Sequence, residues 1–172
     1  MTEVERAAYA AWLQGARPLL EAGQFGEALK DVPRLELAPA VPRPLAVPLA
    51  RARVALVTSA GLSAPGQPKM DGPNIEGDYT VRLLEADLDP STITITHTHF
   101  DHTAAEQDIN VIYPIDRLKE LAAAGEVGSV TSPAVSFMGY FSNVFRMRDE
   151  VAPSVVSAVA ASGADAVLLV PV

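Results

Sequence analysis

The chain has 172 residues, 49% of them hydrophobic, and its 13 basic and 21 acidic side chains give a net charge of −8 at pH 7. Binding to nucleic acid or to an anionic membrane requires a concentrated basic face, so the acidic composition argues against both. Because the sequence has no cysteine, it excludes disulfides, thiolate metal sites and cysteine nucleophiles from the residues given.

The length predicts one globular domain, residues 51–172, preceded by an N-terminal extension, residues 1–50. The N-terminus lacks the basic end and apolar run of a secretory signal. No window of about 18 apolar residues, the length that spans a membrane, occurs in the sequence. We therefore expect a cytoplasmic protein without a transmembrane helix.

The extension is predicted to contain short helices followed by a proline-rich strap. An amphipathic helix is expected over residues 4–13, where Gly15 and Pro18 would end it, and a second helix over 25–30. Residues 37–48 contain four prolines, which favour an extended path. We expect this strap to lie across the domain.

From residue 53 onward, apolar strands alternate with helices. Residues 54–57 and 166–170 are continuous apolar runs, a pattern typical of parallel strands that are covered on both faces. The other expected elements are strands at 79–84, 92–96 and 128–137, a helix at 116–124 with Asp116 as its N-cap, and a crossover helix at 149–162. This order predicts an α/β fold with a three-layer, mainly parallel sheet and helices on both faces, Rossmann- or flavodoxin-like, in which 166–170 lies parallel to 54–57.

All three histidines of the sequence, His97, His99 and His102, fall within six residues after a predicted strand. Alternation along a strand would point His97 and His99 to the same side. Together with Asp101 they could converge on one small volume, which suits either a zinc or iron site or general acid–base chemistry. Asp108 could orient their N–H groups, although a role in turn formation explains this residue as well.

The same histidine string satisfies the His-x-His-x-Asp-His pattern of metallo-β-lactamase-fold hydrolases. That fold needs further histidine ligands downstream, and the sequence has none after His102. This fold is therefore rejected as the main interpretation. A metal-dependent hydrolase that uses the three histidines is kept as the alternative hypothesis. A third hypothesis is a non-catalytic binding or assembly domain, in which the histidines cap loop backbone groups.

An ordered series of motifs in residues 45–172 resembles the glycine/sarcosine/betaine reductase selenoprotein B family, which includes a D-proline reductase subunit. These motifs are Arg53-Val-Ala-Leu-Val-Thr-Ser-Ala-Gly61, Gly66-Gln67-Pro68, Gly77-Asp78, His99-Phe-Asp-His102, Asp108-Ile-Asn-Val, Pro114-Ile-Asp-Arg-Leu118 and Ser136-Phe-Met-Gly139. The resemblance implies an oxidoreductase subunit that reductively cleaves a C–N bond of an amino-acid-like substrate.

In that family, a selenocysteine or cysteine follows the stretch that resembles residues 165–172. The resemblance implies that its selenol or thiol attacks the substrate carbon after a carbonyl-containing partner subunit has activated the amino group. Since neither residue occurs in this sequence, we expect a UGA or cysteine codon directly after Val172. No cofactor is expected within the chain, apart from a metal ion that the histidine cluster could hold. The expected partners are a small-molecule substrate and either other reductase subunits or further copies of the chain.

Under this hypothesis the site lies at the carboxyl ends of the strands, between a loop over 59–78 and the segment 97–110. An imidazolium there could hold a nucleophile after Val172 in its anionic form. This requires the imidazoles to lie within about 15 Å of Val172. The residues expected to position substrate or transfer protons are His99, Asp101 and His102, and those expected to bind substrate are Gln67, His97 and Asp108.

Overall fold

The computed structural model describes residues 1–37, 39–41 and 43–172. Its helices are α1 (Glu3–Glu21), α2 (Phe25–Ala28), α3 (Thr103–Gln107), α4 (Ile115–Ala123), α5 (Val144–Arg146) and α6 (Ala152–Ala161), and a π-helical turn, Met147–Val151, joins the last two. Its strands are β1 (Arg53–Thr58), β2 (Leu62–Ser63), β3 (Val81–Leu84), β4 (Thr94–Ile95), β5 (Ser129–Val130), β6 (Ala134–Phe137) and β7 (Ala166–Val170).

The first helix is longer than the sequence predicts. A capping box formed by Thr2 and Glu5 begins α1, and the helix continues through Gly15 and Pro18. The predicted break is wrong because a proline removes only one backbone donor, while Leu20 beyond it is buried in a small apolar cluster. The second helix is present but ends at Ala28, two residues early.

The N-terminal helices pack on the domain through that cluster and through polar contacts. Ile75, from the loop after β2, packs against the cluster. The Tyr9 hydroxyl lies 2.8 Å from the Ser142 hydroxyl, and Arg148 forms a bidentate ion pair with Glu5. In the strap, Ala38 and Pro42 lie outside the described residues, and the other residues form neither helix nor strand.

The main sheet is mixed but mostly parallel, and β1 lies inside it. On one side β1 pairs in parallel with β7 along its length, Val54 facing Ala166 and Thr58 facing Val170. On its other side β1 pairs in parallel with β5 and then β6, and β3 completes the sheet antiparallel to β6. The predicted α/β class and the parallel pairing of the two apolar runs are confirmed.

Helices lie on both faces of the main sheet. Leu56 packs in one core cluster with Leu118 of α4, so α4 covers that face. Val57 pairs with Val135, which pairs with Leu83, and paired residues share a face of the sheet. A cleft between α6 and β3 is lined by Leu83, so α6 lies on the opposite face from α4.

Several element bounds differ from the sequence predictions for local reasons. Residues 90–92 form a 3₁₀ turn capped by Asp89, which shortens the predicted strand 92–96 to β4. The predicted strand 128–137 divides into β5 and β6 around Pro133, which has no N–H for a strand ladder. The helix predicted at 149–162 begins earlier, at Val144, because the Asn143 side chain caps α5. From α5 the helix continues through the π-helical turn into α6.

The predicted burial of the last strand on both faces is wrong. Val167, Leu168 and Leu169 are exposed, Leu169 by 67%. The reason is that β7 lies at the edge of the sheet, where no strand in the described part of the chain pairs with its outer side. The apolar composition of this strand therefore has no matching cover within residues 43–172.

Candidate active site

The connections of the sheet change faces at β1. After β1 the chain forms β3 and then returns through α4 on one face into β5 and β6, the neighbours of β1. It passes from β6 to β7 through α6 on the other face. In doubly wound sheets the ligand crevice opens at such a switch point, at the carboxyl ends of the strands. The carboxyl ends of β1, β6 and β7 therefore form the candidate site.

Ser59, directly after β1, holds the end of the last strand in place. Its Oγ accepts a hydrogen bond from the Val172 N–H at 2.9 Å and lies 3.4 Å from the Val172 carbonyl oxygen. Its own N–H donates to the Val170 carbonyl at 3.1 Å. Because Ser59 is buried, these bonds are shielded from water, and they fix the direction in which the backbone leaves β7.

Gly139, two residues after the end of β6, packs against Ser59 and Val172. Its N–H donates to the Ser59 carbonyl at 2.8 Å. A Cβ at this position would lie 2.9 Å from the Val172 carbonyl oxygen and 3.0 Å from Ser59 Oγ. Only glycine permits this close approach of backbone segments. An apolar cleft of about 420 Å³ opens beside Ser59, with Phe137 and Leu169 among its lining residues.

The histidine segment is attached to the loop that follows β1. The Thr96 N–H and Oγ–H both donate to the Gly61 carbonyl, at 3.0 and 2.8 Å. Gly61 has a φ of +65°, and a Cβ there would lie 3.0 Å from the His97 Cβ. His97 therefore packs against the loop that begins at Ser59.

His97 is buried, with 3% of its surface exposed, and is held in its neutral form. Its Nδ1 accepts a hydrogen bond from the His99 N–H at 3.1 Å, which assigns the proton to Nε2. Burial, and secondarily the neighbouring His99 and His102, lowers the pKa of His97 to about 4. The imidazole is therefore uncharged near pH 7 and acts through hydrogen bonds.

His99 lies in an aromatic stack beside the strand ends. Its ring is parallel to that of Tyr140, with centroids 3.7 Å apart, and meets the edge of Phe25 at 5.1 Å. Burial lowers the pKa of His99, so it too favours the neutral form. Since Tyr140 follows Gly139, two adjacent residues connect the His99 ring to the Val172 backbone.

The three imidazoles do not share one cleft. His99 and Asp101 line a cleft of about 540 Å³ together with Phe25 and Tyr140. His102 instead lines a cleft of about 630 Å³, and its Nε2 donates to the His97 carbonyl at 2.6 Å. The His97 and His99 rings lie 5.7 Å apart, but His102 faces a different cleft. The three imidazoles therefore do not converge on one volume as expected, because β4 ends at Ile95 and the chain bends at His99 and Phe100.

The predicted polar residues are engaged with nearby backbone. Asp101 Oδ1 accepts from the Thr103 N–H and hydroxyl, and these bonds lower the pKa of Asp101. Asp108 makes the corresponding contacts with Asn110, with the same effect on its pKa. The Gln67 side chain joins the Ala64 N–H to the Leu83 carbonyl. Asp108 lines the cleft of His102, so it does not join His99.

A metal site was the alternative use of the histidines. Within residues 1–37, 39–41 and 43–172, no three His, Asp or Glu side chains are arranged to hold a metal ion. The ring nitrogens of His97 and His102 contact backbone groups instead. The metal-dependent hydrolase therefore lacks a ligand set in these residues.

Three residues of the site were not singled out by the sequence analysis. Ser59 lies immediately after a buried strand, which is the position where parallel sheets place functional side chains. Gly139 ends one of the motifs that carry the family resemblance. Tyr140 has no signal in the sequence, because its contact with His99 joins residues 41 positions apart in the chain.

Replacing Tyr140 by alanine is expected to raise the pKa of His99 toward its usual value near 6.5, since the stacked ring buries the imidazole. NMR titration of the His99 imidazole measures the change. Tyr140→Phe is the control, because it keeps the stack and loses only the 2.8 Å hydroxyl bond to the Ile75 carbonyl. A pKa of His99 that stays unchanged in the alanine variant would contradict the proposed cause.

Together these features define the class of protein: an α/β domain with a mainly parallel sheet, whose candidate site lies at the carboxyl ends of the strands. A sequence profile of glycine/sarcosine/betaine reductase selenoprotein B matches residues 21–172, and the chain belongs to this family. The expected family is thereby confirmed. No solved structure matches the chain. In the described residues, no helix has both the length and the apolar character needed to cross a membrane.

Two curated relatives are subunits of reductases. The chain is 28% identical to D-proline reductase subunit gamma of Acetoanaerobium sticklandii over 135 residues, 76% of this chain and 54% of the relative. It is 29% identical to glycine reductase complex component B subunit gamma of Carboxydothermus hydrogenoformans over 131 residues, 74% of this chain and 30% of the relative. The chain thus spans about half or less of the length of these relatives.

Proposed function

We propose that this chain is part of a reductase-complex subunit whose selenol or thiol immediately follows Val172. The observation that carries the proposal is the position of Val172, which Ser59 holds at the carboxyl ends of β1 and β7. The next residue would enter the crevice at the switch point, where sheets of this type bind ligands. Gly139 has no side chain that would contact the Val172 backbone from the other side.

The residues around the position after Val172 suit a nucleophilic displacement. The selenolate or thiolate forms a bond to the substrate carbon while the C–N bond of the amino-acid-like substrate breaks, and the amine leaves with the carbonyl-containing partner subunit. The apolar cleft beside Ser59 would shield the reacting carbon from water. His99, uncharged near pH 7, can accept or donate a proton, and Asp101 lines the separate cleft that holds His99. His99 would thus act as a proton carrier and not as a fixed positive charge.

Replacing Ser59 by alanine tests this arrangement. The change removes both contacts of the hydroxyl with the Val172 backbone and leaves the pairing of β1 with β7 intact. In the reconstituted complex we expect kcat to fall about 10- to 100-fold with little change in KM, since the nucleophile loses its position and the substrate pocket does not. Ser129→Ala is the matched control, because Ser129 is exposed at the opposite end of the sheet.

The assay uses glycine, sarcosine, betaine and D-proline as candidate substrates. Reduction of one of them, with the loss in kcat confined to the Ser59 variant, supports the proposal. Two results would overturn it: full kcat in Ser59→Ala, or no reduction of any of the four by the assembled complex.

A further inference from the structure

The outer strand β7 exposes apolar side chains on both faces. Leu168 pairs with Leu56 and shares the face that α4 covers, whereas Leu169 pairs with Val57 and shares the face of α6. On that second face, Val167 and Leu169 are the most exposed residues of the strand, at 42% and 67%. A flat, apolar and unpaired strand edge is a surface that another strand can join.

Helix α6 leaves an apolar side uncovered as well. Pro153, Ser157 and Ala161 face the cleft between α6 and β3. A helix turns about 100° per residue, so Val156 lies on the side away from β3, and 67% of it is exposed. The exposed side of α6 therefore lies on the same side of the sheet as the exposed face of β7.

The handedness of the fold specifies what fits this surface. The connection from β6 to β7 runs across β1 and carries α6 on one face. Connections between parallel strands are right-handed in about 98% of cases, so a next strand beyond β7, reached in the same direction, would place its helix on that same face. This is the face on which Val167 and Leu169 are exposed.

We propose that β7 and α6 form the docking surface for a helix-and-strand unit contributed by the polypeptide that follows Val172 in the full-length protein. The strand pairs in parallel with the outer edge of β7, and the helix covers Val167 and Leu169 beside Val156. The inference rests on the proposed function in one respect, namely that the chain continues past Val172.

The relatives are long enough to contain such a unit outside the part that aligns with this chain. Nearly half of the D-proline reductase subunit lies outside its alignment with this chain, and about 70% of the glycine reductase subunit does. Two copies related by a two-fold axis would pair their β7 strands antiparallel. Such a dimer supplies no crossover helix, so Val156 and Leu169 would remain in water.

The experiment compares the 172-residue chain with the same chain extended by the residues that its own gene encodes after Val172, with cysteine at the redox position. Hydrogen exchange is followed in β7, and thermal unfolding is followed for Leu169→Lys and Val156→Lys. Val111→Lys is the matched control for Val156→Lys, because Val111 is a valine that is 58% exposed and remote from β7 and α6 in sequence.

In the extended chain we expect the β7 amides that point away from β1 to exchange at least about 100-fold more slowly. We also expect both lysine variants to lower the Tm by several degrees in the extended chain and by less than about 1 °C in the 172-residue chain. Val111→Lys should be neutral in both. Equal exchange in the two lengths, or equal tolerance of the lysines, overturns the proposal. A gene that encodes no residues after Val172 also overturns it, as does protection of β7 by dimerisation of the 172-residue chain.

A serine at the redox position separates this proposal from the proposed function. If β7 is protected in the serine and cysteine forms alike while the cysteine form reduces no substrate, the docking surface stands and the proposed function fails. If the cysteine form is active but β7 exchanges freely, the docking surface fails and the function stands.

Discussion

Replacing Gly72 by alanine is expected to lower the free energy of unfolding by about 1–3 kcal/mol or more. A Cβ at Gly72 would lie 1.8 Å from the Thr96 carbonyl oxygen and 3.3 Å from Thr98 Cγ2. Backbone must therefore move, and the segment that moves is the one that positions His97. The 3.0 Å hydrogen bond from the Thr98 hydroxyl to the Gly72 carbonyl would be lost with it.

Urea denaturation measures this effect, and Gly15→Ala serves as its control. Gly15 lies inside α1, and a Cβ there would have no heavy atom within 4 Å beyond the adjacent backbone of its own helix. Alanine there should stabilise the protein by about 0.5–1 kcal/mol, because glycine loses more conformational entropy in a helix. Equal stability of the Gly72 variant and the wild type would show that the contact with the histidine segment is not as close as the structure has it.

Stability is expected to fall as the pH is lowered from about 6.5 to 4, and His97 is expected to contribute about 2–3 kcal/mol of that fall. Burial lowers the pKa of His97 to about 4 in the folded protein, whereas an unfolded histidine titrates near 6.5. Between these values the unfolded state binds more protons, so acid favours unfolding. Burial lowers the pKa of His99 as well, which adds to the same trend.

His97→Asn isolates the contribution of this residue. An asparagine side chain can accept the His99 N–H, as His97 Nδ1 does at 3.1 Å, but it carries no titratable proton. The variant should therefore show a shallower dependence of unfolding free energy on pH between 6.5 and 4. The same slope in variant and wild type would mean that His97 is not held neutral by the fold.

The prediction from the sequence is correct for the centre of the sheet and wrong for the burial of its edge strand, β7. Residues 54–57 read as a strand buried on both faces, and β1 is that strand. The same apolar signal in residues 166–170 correctly predicted a parallel neighbour of β1. It could not reveal that the neighbour is exposed, because composition reports what a strand can bury and not what is present to cover it.

The sequence predicts where the candidate site lies, but it predicts only some of the residues that the structure places there. The rule that ligands bind at the carboxyl ends of parallel strands placed it near Ser59 and Val172. Proximity along the chain suggested that His99 and His102 share a pocket, but the backbone bends at His99 and Phe100, and the two imidazoles line different clefts. The contact between His99 and Tyr140 depends on tertiary packing, which spacing in the sequence does not encode.

Mass spectrometry of the protein isolated from its native host tests the central claim most directly. The measurement is the residue joined to Val172, read from the fragment that spans β7, after alkylation of reduced protein. The account predicts an alkylated selenocysteine or cysteine at that position. A fragment that ends at Val172, or one that continues into any other residue, would contradict the placement of the redox centre between Ser59 and Gly139.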